Sequence, residues 1–346
     1  MSQLVISPTP HVKTKRTTKH IMLDVLIALV PATAASIVYF GWQAAVLILI
    51  SLASAFLTEF VYYIIQNKIW ANPKETCVKF FKQFDFTTLV TGLLLALCIP
   101  ANINGWYMPL LGSIFAIAVV KMLFGGSGKN IVNPALAGRV FLFISFALAT
   151  TAVACNFGAI NGGGAVLETG ATQLNGNILH GKESINALDL FLGTGLAATA
   201  MGETCKLALL VGGIYLCVRG VIKWYLPVIY IVVTGLFASL LDLNINSFLP
   251  SILSGGLMLG AIFMATDYVT TPKSKIGNII YFVVLGLLTA GLRKATGVEV
   301  VSFCILLMNF VVFLIDLLLK AHPFGYIRKK KEKKVKETQP AKEERV

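Results

Sequence analysis

Charge is what this sequence has least of. Only 13% of its 346 residues are charged, against 56% hydrophobic ones. A soluble globular domain carries about 25% charged residues, and a disordered chain lacks apolar residues, so both classes are excluded. Paired cysteines are missing as well. Cys77, Cys98, Cys155, Cys205, Cys217 and Cys304 never stand at a CxxC spacing, so no zinc or iron–sulfur ligand set is legible. Most of them read as small buried apolar side chains. Cys155 and Cys205 flank one long loop and are within geometric reach of pairing. Acidic groups are scarce at the ends. Residues 1–20 hold four basic groups and no acid, and residues 328–346 hold nine against four, within a net charge of +13. The basic run Lys329–Lys336 has no interleaved aromatics and follows an apolar segment. That excludes a nucleic-acid surface and fits contact with anionic lipid. The N-terminus lacks the pattern of a cleaved signal.

What is present is a succession of apolar runs. A membrane span needs about 20 apolar residues, and ten runs qualify: 21–40, 43–65, 86–100, 107–124, 136–154, 205–218, 224–241, 248–264, 276–292 and 298–319. The third and sixth are short. With the N-terminus in the cytoplasm, 25 of the 29 basic residues fall on the cytoplasmic side, leaving only Lys182, Lys206, Arg293 and Lys294 outside. Two basic cytoplasmic ends require an even number of spans. Residues 187–201 therefore read as an interfacial or re-entrant helix packed within the protein. The expected fold is all-α, with about ten transmembrane helices in a five-plus-five inverted repeat. The expected organisation is a cytoplasmic basic N-terminus (1–20), a first transmembrane half (21–154), an extracytoplasmic loop (155–204), a second half (205–320) and a disordered basic cytoplasmic tail (321–346).

Four polar stretches interrupt the apolar runs. In Phe124–Arg139, Gly125, Gly126 and Gly128 allow tight turns, Asn130 and Asn133 share a face if the segment is helical, and Pro134 suits a helix's first turn. That pattern serves either an anion at a helix start or a simple capped turn. The long loop carries Glu168, Thr169, Gly170, Ala171 and Thr172, and it is the only large extracytoplasmic one. A threonine there is a turn residue or a modification site. In Phe263–Lys275, Asp267 stands among Thr266, Thr270 and Thr271, where it caps the next helix or orients a ligand. In Arg293–Asn309, Arg293 and Glu299 are placed to pair at the membrane edge. Of the other intramembrane acids, Asp316 has Lys320 four residues on. Glu59 lies midway along its run without a partner in the sequence, which makes it the candidate for an ion path or for a protonated structural hydrogen-bond donor.

Taken in order, FGG-x-G-x-NI-x-NPA-x-x-GR, T-GAT, FMATD-x-VT-x-P and R-x-x-x-G-x-E…LLMN resemble one family. It contains the D subunit of the Rnf complex, an ion-translocating ferredoxin:NAD oxidoreductase, and the B subunit of the sodium-pumping NADH:quinone reductase. The resemblance covers roughly residues 20–325, and the length favours the Rnf branch. It implies a bacterial or archaeal cytoplasmic membrane and partnership with the other Rnf subunits (A, B, C, E and G). It also implies FMN joined by phosphoester to the last threonine of the Thr-Gly-Ala-Thr motif, Thr172, with Gly170 and Ala171 beside it. A flavin transferase using FAD would install the group. Thr169 stands where serine is more usual and is a rival acceptor. By analogy with the quinone-reductase subunit, a second, noncovalent riboflavin or FMN is expected near Asn130, Asn133 and Asp267. A redox-inactive carrier or channel and a membrane scaffold are the alternatives. Electrons would have to arrive from other subunits, since the chain supplies no cluster.

Overall fold

The computed structural model describes residues 16–67, 78–82, 84–102, 105–146, 153–154, 187–193, 197–198, 200–297 and 299–319. Among these, structure is helical apart from one antiparallel pair of two-residue strands, β1 (Val153–Ala154) and β2 (Ala197–Ala198). Five helices are long and apolar enough to cross a membrane: α1 (Thr18–Phe40), α2 (Trp42–Asn67), α9 (Tyr225–Asp242), α12 (Lys275–Thr296) and α13 (Val301–Leu318). A sixth is broken. The helical stretch Ile245–Leu253, which contains α10 (Phe248–Leu253), turns by 67° into Leu257–Met264, an α-helical turn α11 (Leu257–Leu259) continued as a π-helix. Four apolar helices are shorter. They are α4 (Thr87–Leu97), α5 (Tyr107–Ile114, continued as a π-helix through Met122), α6 (Pro134–Ser145) and α8 (Lys206–Val218). A short helix α3 covers residues 78–82, and α7 (Ala187–Leu192) lies between the strands.

The outer faces of these helices are apolar: Leu49, Ile65, Val211, Ile214 and Phe313 are all exposed. Such a surface is a liability in water and ordinary in lipid. Trp42, Trp106 and Trp224 are also exposed, each at or next to a helix start, as interfacial tryptophans are. The chain is a multi-pass membrane protein.

Packing links the two ends of the sequence. Helix α1 packs on α8 and α6 on α13, while α2 packs on α4 and α5, and α9 on α10 and α12. The buried Asp24 carboxylate of α1 accepts from Arg219 Nε and Nη2 at 3.2 and 3.0 Å and from the Tyr215 hydroxyl at 3.1 Å. This is a charge-assisted clamp of the bidentate kind.

Three expectations about helices change. The fifth apolar run is helical only to Ser145, where Phe146 ends it. The eighth run is bent because Gly255 adopts φ 63°, a left-handed conformation closed to most side chains. Residues 187–201 do not form one helix. Gly193, at φ 79°, ends α7, and the chain then enters β2. Helix α7 does pack within the protein, against α8 and α10, and the Tyr39 hydroxyl donates to the Leu192 carbonyl at 2.6 Å.

Candidate functional site

Helix α6 starts in the way its sequence suggests. Asn133 is the N-cap, its Oδ1 accepting from the Ala135 amide at 3.0 Å, and Pro134 occupies the first turn. The chain reaches this cap through Gly125, Gly126 and Gly128 at φ 103°, 89° and 83°. Asn130 and Asn133 are not on one helix, because this glycine-rich turn runs up to the cap. They nonetheless face one space. The glycine-rich turn and the loop after the bent helix border a cavity of about 430 Å³, lined by Asn130, Asn133 and Asp267 together. This volume lies in the range of small-molecule sites, about 300–1,000 Å³.

The cavity has an apolar wall and a polar end. Val90, Leu94, Ile262 and Phe263 supply the wall. Asp85, Thr87, Lys121 and Ser127 supply the end. Asp85 accepts from the Thr87 hydroxyl at 2.6 Å, and that hydroxyl lies 2.9 Å from Ser127 Oγ. The Asn130 side-chain oxygen is buried and has no hydrogen-bond partner among the described residues, where buried polar atoms are normally paired. Asn133 is committed elsewhere. Besides capping α6, its Nδ2 donates to the Met264 carbonyl at 3.3 Å and so ties the two halves together.

Asp267 does not cap the next helix. Ser274 does, accepting from the Gly277 amide at 2.9 Å. Asp267 instead accepts from Thr270 at 3.4 Å. Burial pushes its carboxyl above the ordinary value, against hydrogen bonds from the Val269 backbone, the Thr270 side chain and the Tyr268 backbone. The carboxyl is half-buried and lines the cavity.

Glu59 has a partner that sequence spacing hides. Lys121, from the π-helical end of α5, approaches it at 3.3 Å and also donates to Thr87 at 2.6 Å and to Thr88. Lys121 counts as a cytoplasmic loop lysine in the sequence, yet its side chain is 1% exposed, against 13% for Glu59. Glu59 sits about two turns from the C-terminal end of α2 rather than midway along it. Its Oε2 is buried and accepts no hydrogen bond. The remaining acids are structural. Asp316 accepts from the Lys273 amide at 3.0 Å, while Lys320 lies outside the described residues. Arg293 and Glu299 do pair, at 2.8 Å, with side chains 6% and 4% exposed.

Thr169, Gly170, Ala171 and Thr172 lie outside the described residues, as does Cys155. Lys121 and Asp85 are cavity-lining side chains that sequence reasoning misses. An acid immediately before an apolar run, as in Phe84-Asp85-Phe86, is the available signal.

Comparison with known proteins gives a consistent picture. The chain is 38% identical over 336 residues to the D subunit of the Na(+)-translocating ferredoxin:NAD(+) oxidoreductase complex of Acetobacterium woodii, covering 96% of this chain and 98% of that one. It is 34% identical to the D subunit of the proton-translocating ferredoxin:NAD(+) oxidoreductase complex of Clostridium ljungdahlii, over 92% and 96% of the two chains. Against the D subunit of the ion-translocating oxidoreductase complex of Escherichia coli the identity is 33%, over 93% and 98%. The sequence profile of the NQR2, RnfD, RnfE family matches residues 5–325, and the chain belongs to that family.

Proposed function

We propose that the chain is the D subunit of an Rnf-type complex, a membrane component that relays electrons between ferredoxin and NAD through bound flavin, coupled to translocation of Na+ or H+. It acts as part of an oxidoreductase and not alone. The cavity carries this reading, since it gathers Asn130, Asn133 and Asp267 from loops far apart in sequence. Three subunits of ion-translocating oxidoreductases align with nearly the whole chain, and that supports the assignment.

Two flavins are proposed. FMN is held covalently at Thr172, next to Gly170 and Ala171. A riboflavin or a second FMN occupies the cavity. A flavin supplies a carrier that takes two electrons and releases them singly. In the cavity, Asn130 and Asp267 present polar atoms to a ring edge, Val90, Leu94 and Phe263 exclude water from its faces, and Asn133 holds α6 and the bent helix in register. Glu59 is proposed as a group on the ion path. Lys121 lies 3.3 Å from one of its oxygens, and the other meets no donor among the described residues.

The same reading includes ten spans in two inverted halves, both termini in the cytoplasm and the 155–204 loop outside. The helical elements fall on the ten apolar runs of the sequence, and the packing of α2 on α4 and α5 has its counterpart five apolar runs later in α9 on α10 and α12. Both observations support an inverted repeat. The remaining Rnf subunits (A, B, C, E and G), a flavin transferase and membrane lipid are the proposed partners. Nucleic acid is not.

Fluorescence of the denatured chain on a gel tests the redox role. Chain co-expressed with the transferase should give a flavin band that survives denaturation. A dark band would favour a redox-inactive carrier or a scaffold.

A further inference from the structure

The bent helix hides a second, much smaller space, on the side of the break away from Met264. Thr234, Ala238 and Asp242 of α9, Ser251 and Ser254 at the end of α10, and Arg293 and Lys294 of α12 line a chamber of about 30 Å³. A water needs about 10–15 Å³ of such space, so the chamber has room for one. Two of the lining groups are unusual. Arg293 Nε and Ser251 Oγ are buried without a hydrogen-bond partner among the described residues, on residues only 6% and 5% exposed. Buried polar atoms of this kind are normally satisfied by protein or by water. Both terminal nitrogens of the Arg293 guanidinium are bonded. Nη1 donates to the Ser251 carbonyl at 2.9 Å, and Nη2 to the Ser254 carbonyl at 3.3 Å and to Glu299 at 2.8 Å.

The outer wall of the chamber is an ion pair, Lys294 with Asp242, whose lysine is 43% exposed. The Asp242 carboxylate is 9% exposed and stays anchored on α9, while the exposed lysine end can leave it for water. Its position has a match in the other half. Lys121 ends the fourth apolar element and pairs with Glu59 of the second, beside the break that leads into the third. Lys294 closes the ninth and pairs with Asp242 of the seventh, beside the break within the eighth. Each break contains a residue with positive φ, Phe86 at 65° and Gly255 at 63°. One lysine borders the wide cavity and the other borders the one-water chamber.

We propose that the chamber is the closed form of a water-filled vestibule on the face opposite the wide cavity, with one water bridging Arg293 Nε and Ser251 Oγ, and with the Lys294–Asp242 pair as its door. The water accepts from Nε–H and donates to the serine oxygen, so all four charged side chains around the chamber keep their balance of two positive and two negative. An anion would leave that balance uncompensated in a low-dielectric site. Release of Lys294 from Asp242 lets bulk water reach the helix break. The inference rests on the ten-span reading above, because only that reading puts the two lysines on opposite faces.

Thiol labelling of the assembled complex tests the vestibule. Ala238→Cys is placed in the chamber, and Val228→Cys, on the exposed apolar face of α9, serves as the control. A small membrane-impermeant thiol reagent is applied to intact cells and to inverted vesicles, and the modified peptide is located by mass spectrometry. Labelling at position 238 should be slow and should rise by up to about fivefold in Lys294→Gln or Asp242→Asn, the shift that loss of one surface pair permits. It should stay slow in Lys294→Arg, and the control should not respond. Equal labelling with and without the pair overturns the proposal, as does fast labelling in the unaltered protein. Pair-dependent labelling from the cytoplasmic face alone keeps the vestibule and instead reverses the topology.

Discussion

The two breaks in the bundle are built alike and used differently. At the first, Asp85 and Phe86 separate α3 from α4, and the space beyond is wide, about 430 Å³, and lined with hydroxyls, amides and carboxyls. At the second, Ser254, Gly255 and Gly256 separate α10 from α11, and the space is about 30 Å³. Arginine explains the difference. Its planar fork of donors lets Arg293 occupy the freed carbonyls of α10 and meet Glu299 at once. Behind it, Arg139 Nη1 and Glu203 Oε2 approach Gly256 closely. Lys121 is a point charge whose hydrogens go to Glu59, Thr87 and Thr88, and it leaves the adjoining space open. The break beside Arg293 is thus plugged, and the one beside Lys121 opens on a cavity.

That contrast predicts opposite phenotypes. The largest effect lies outside both breaks: Thr172→Ala should abolish covalent flavin completely with the protein still inserted, while Thr169→Ala keeps it, as peptide mass spectrometry would show. An adduct on Thr169 would overturn that assignment. At the plugged break, Glu299→Gln strips the partner from a buried arginine and should cost about 3–5 kcal/mol, seen as a lowered melting temperature in detergent with cavity flavin retained until unfolding. Gly255→Ala should also destabilise, because its φ of 63° disfavours a side chain and an added Cβ would meet Glu299. At the open break the order reverses. Asn130→Ala and Asp267→Ala should lower the affinity for noncovalent flavin with little change in melting. Asn133→Ala should cost about 1 kcal/mol through its lost cap, measurable by thermal unfolding. The subtlest is Glu59→Gln. Electron transfer should persist in reconstituted complex while ion uptake falls, and normal uptake would leave Glu59 a structural partner of Lys121.

Much of this is legible in the sequence. The apolar runs locate the helices, and the Asn133-Pro134 signal locates the start of α6, because both depend on local chemistry. The grouping of Asn130, Asn133 and Asp267 follows from family analogy and from the side of the membrane their loops share, and the fold brings those residues to one cavity. What escapes is non-local. Lys121 and Arg139 read as loop charges because hydropathy averages over neighbours, yet Lys121 is buried against a partner 62 residues away. The bend at Gly255 is hidden inside an apolar run that a straight helix would fit as well. The end of α7 at Gly193 is hidden by the alanines that follow it, which suit a helix but form a strand.

Flavin stoichiometry of the purified complex tests the central claim most directly. Acid extraction separates loosely held flavin from flavin that stays on the chain. The account predicts one retained and one released flavin for each copy of this chain, with the released one lost selectively in the Asn130→Ala, Asp267→Ala double variant. A single flavin, all of it retained, or a released flavin undiminished in the double variant, would contradict the cavity as a flavin site.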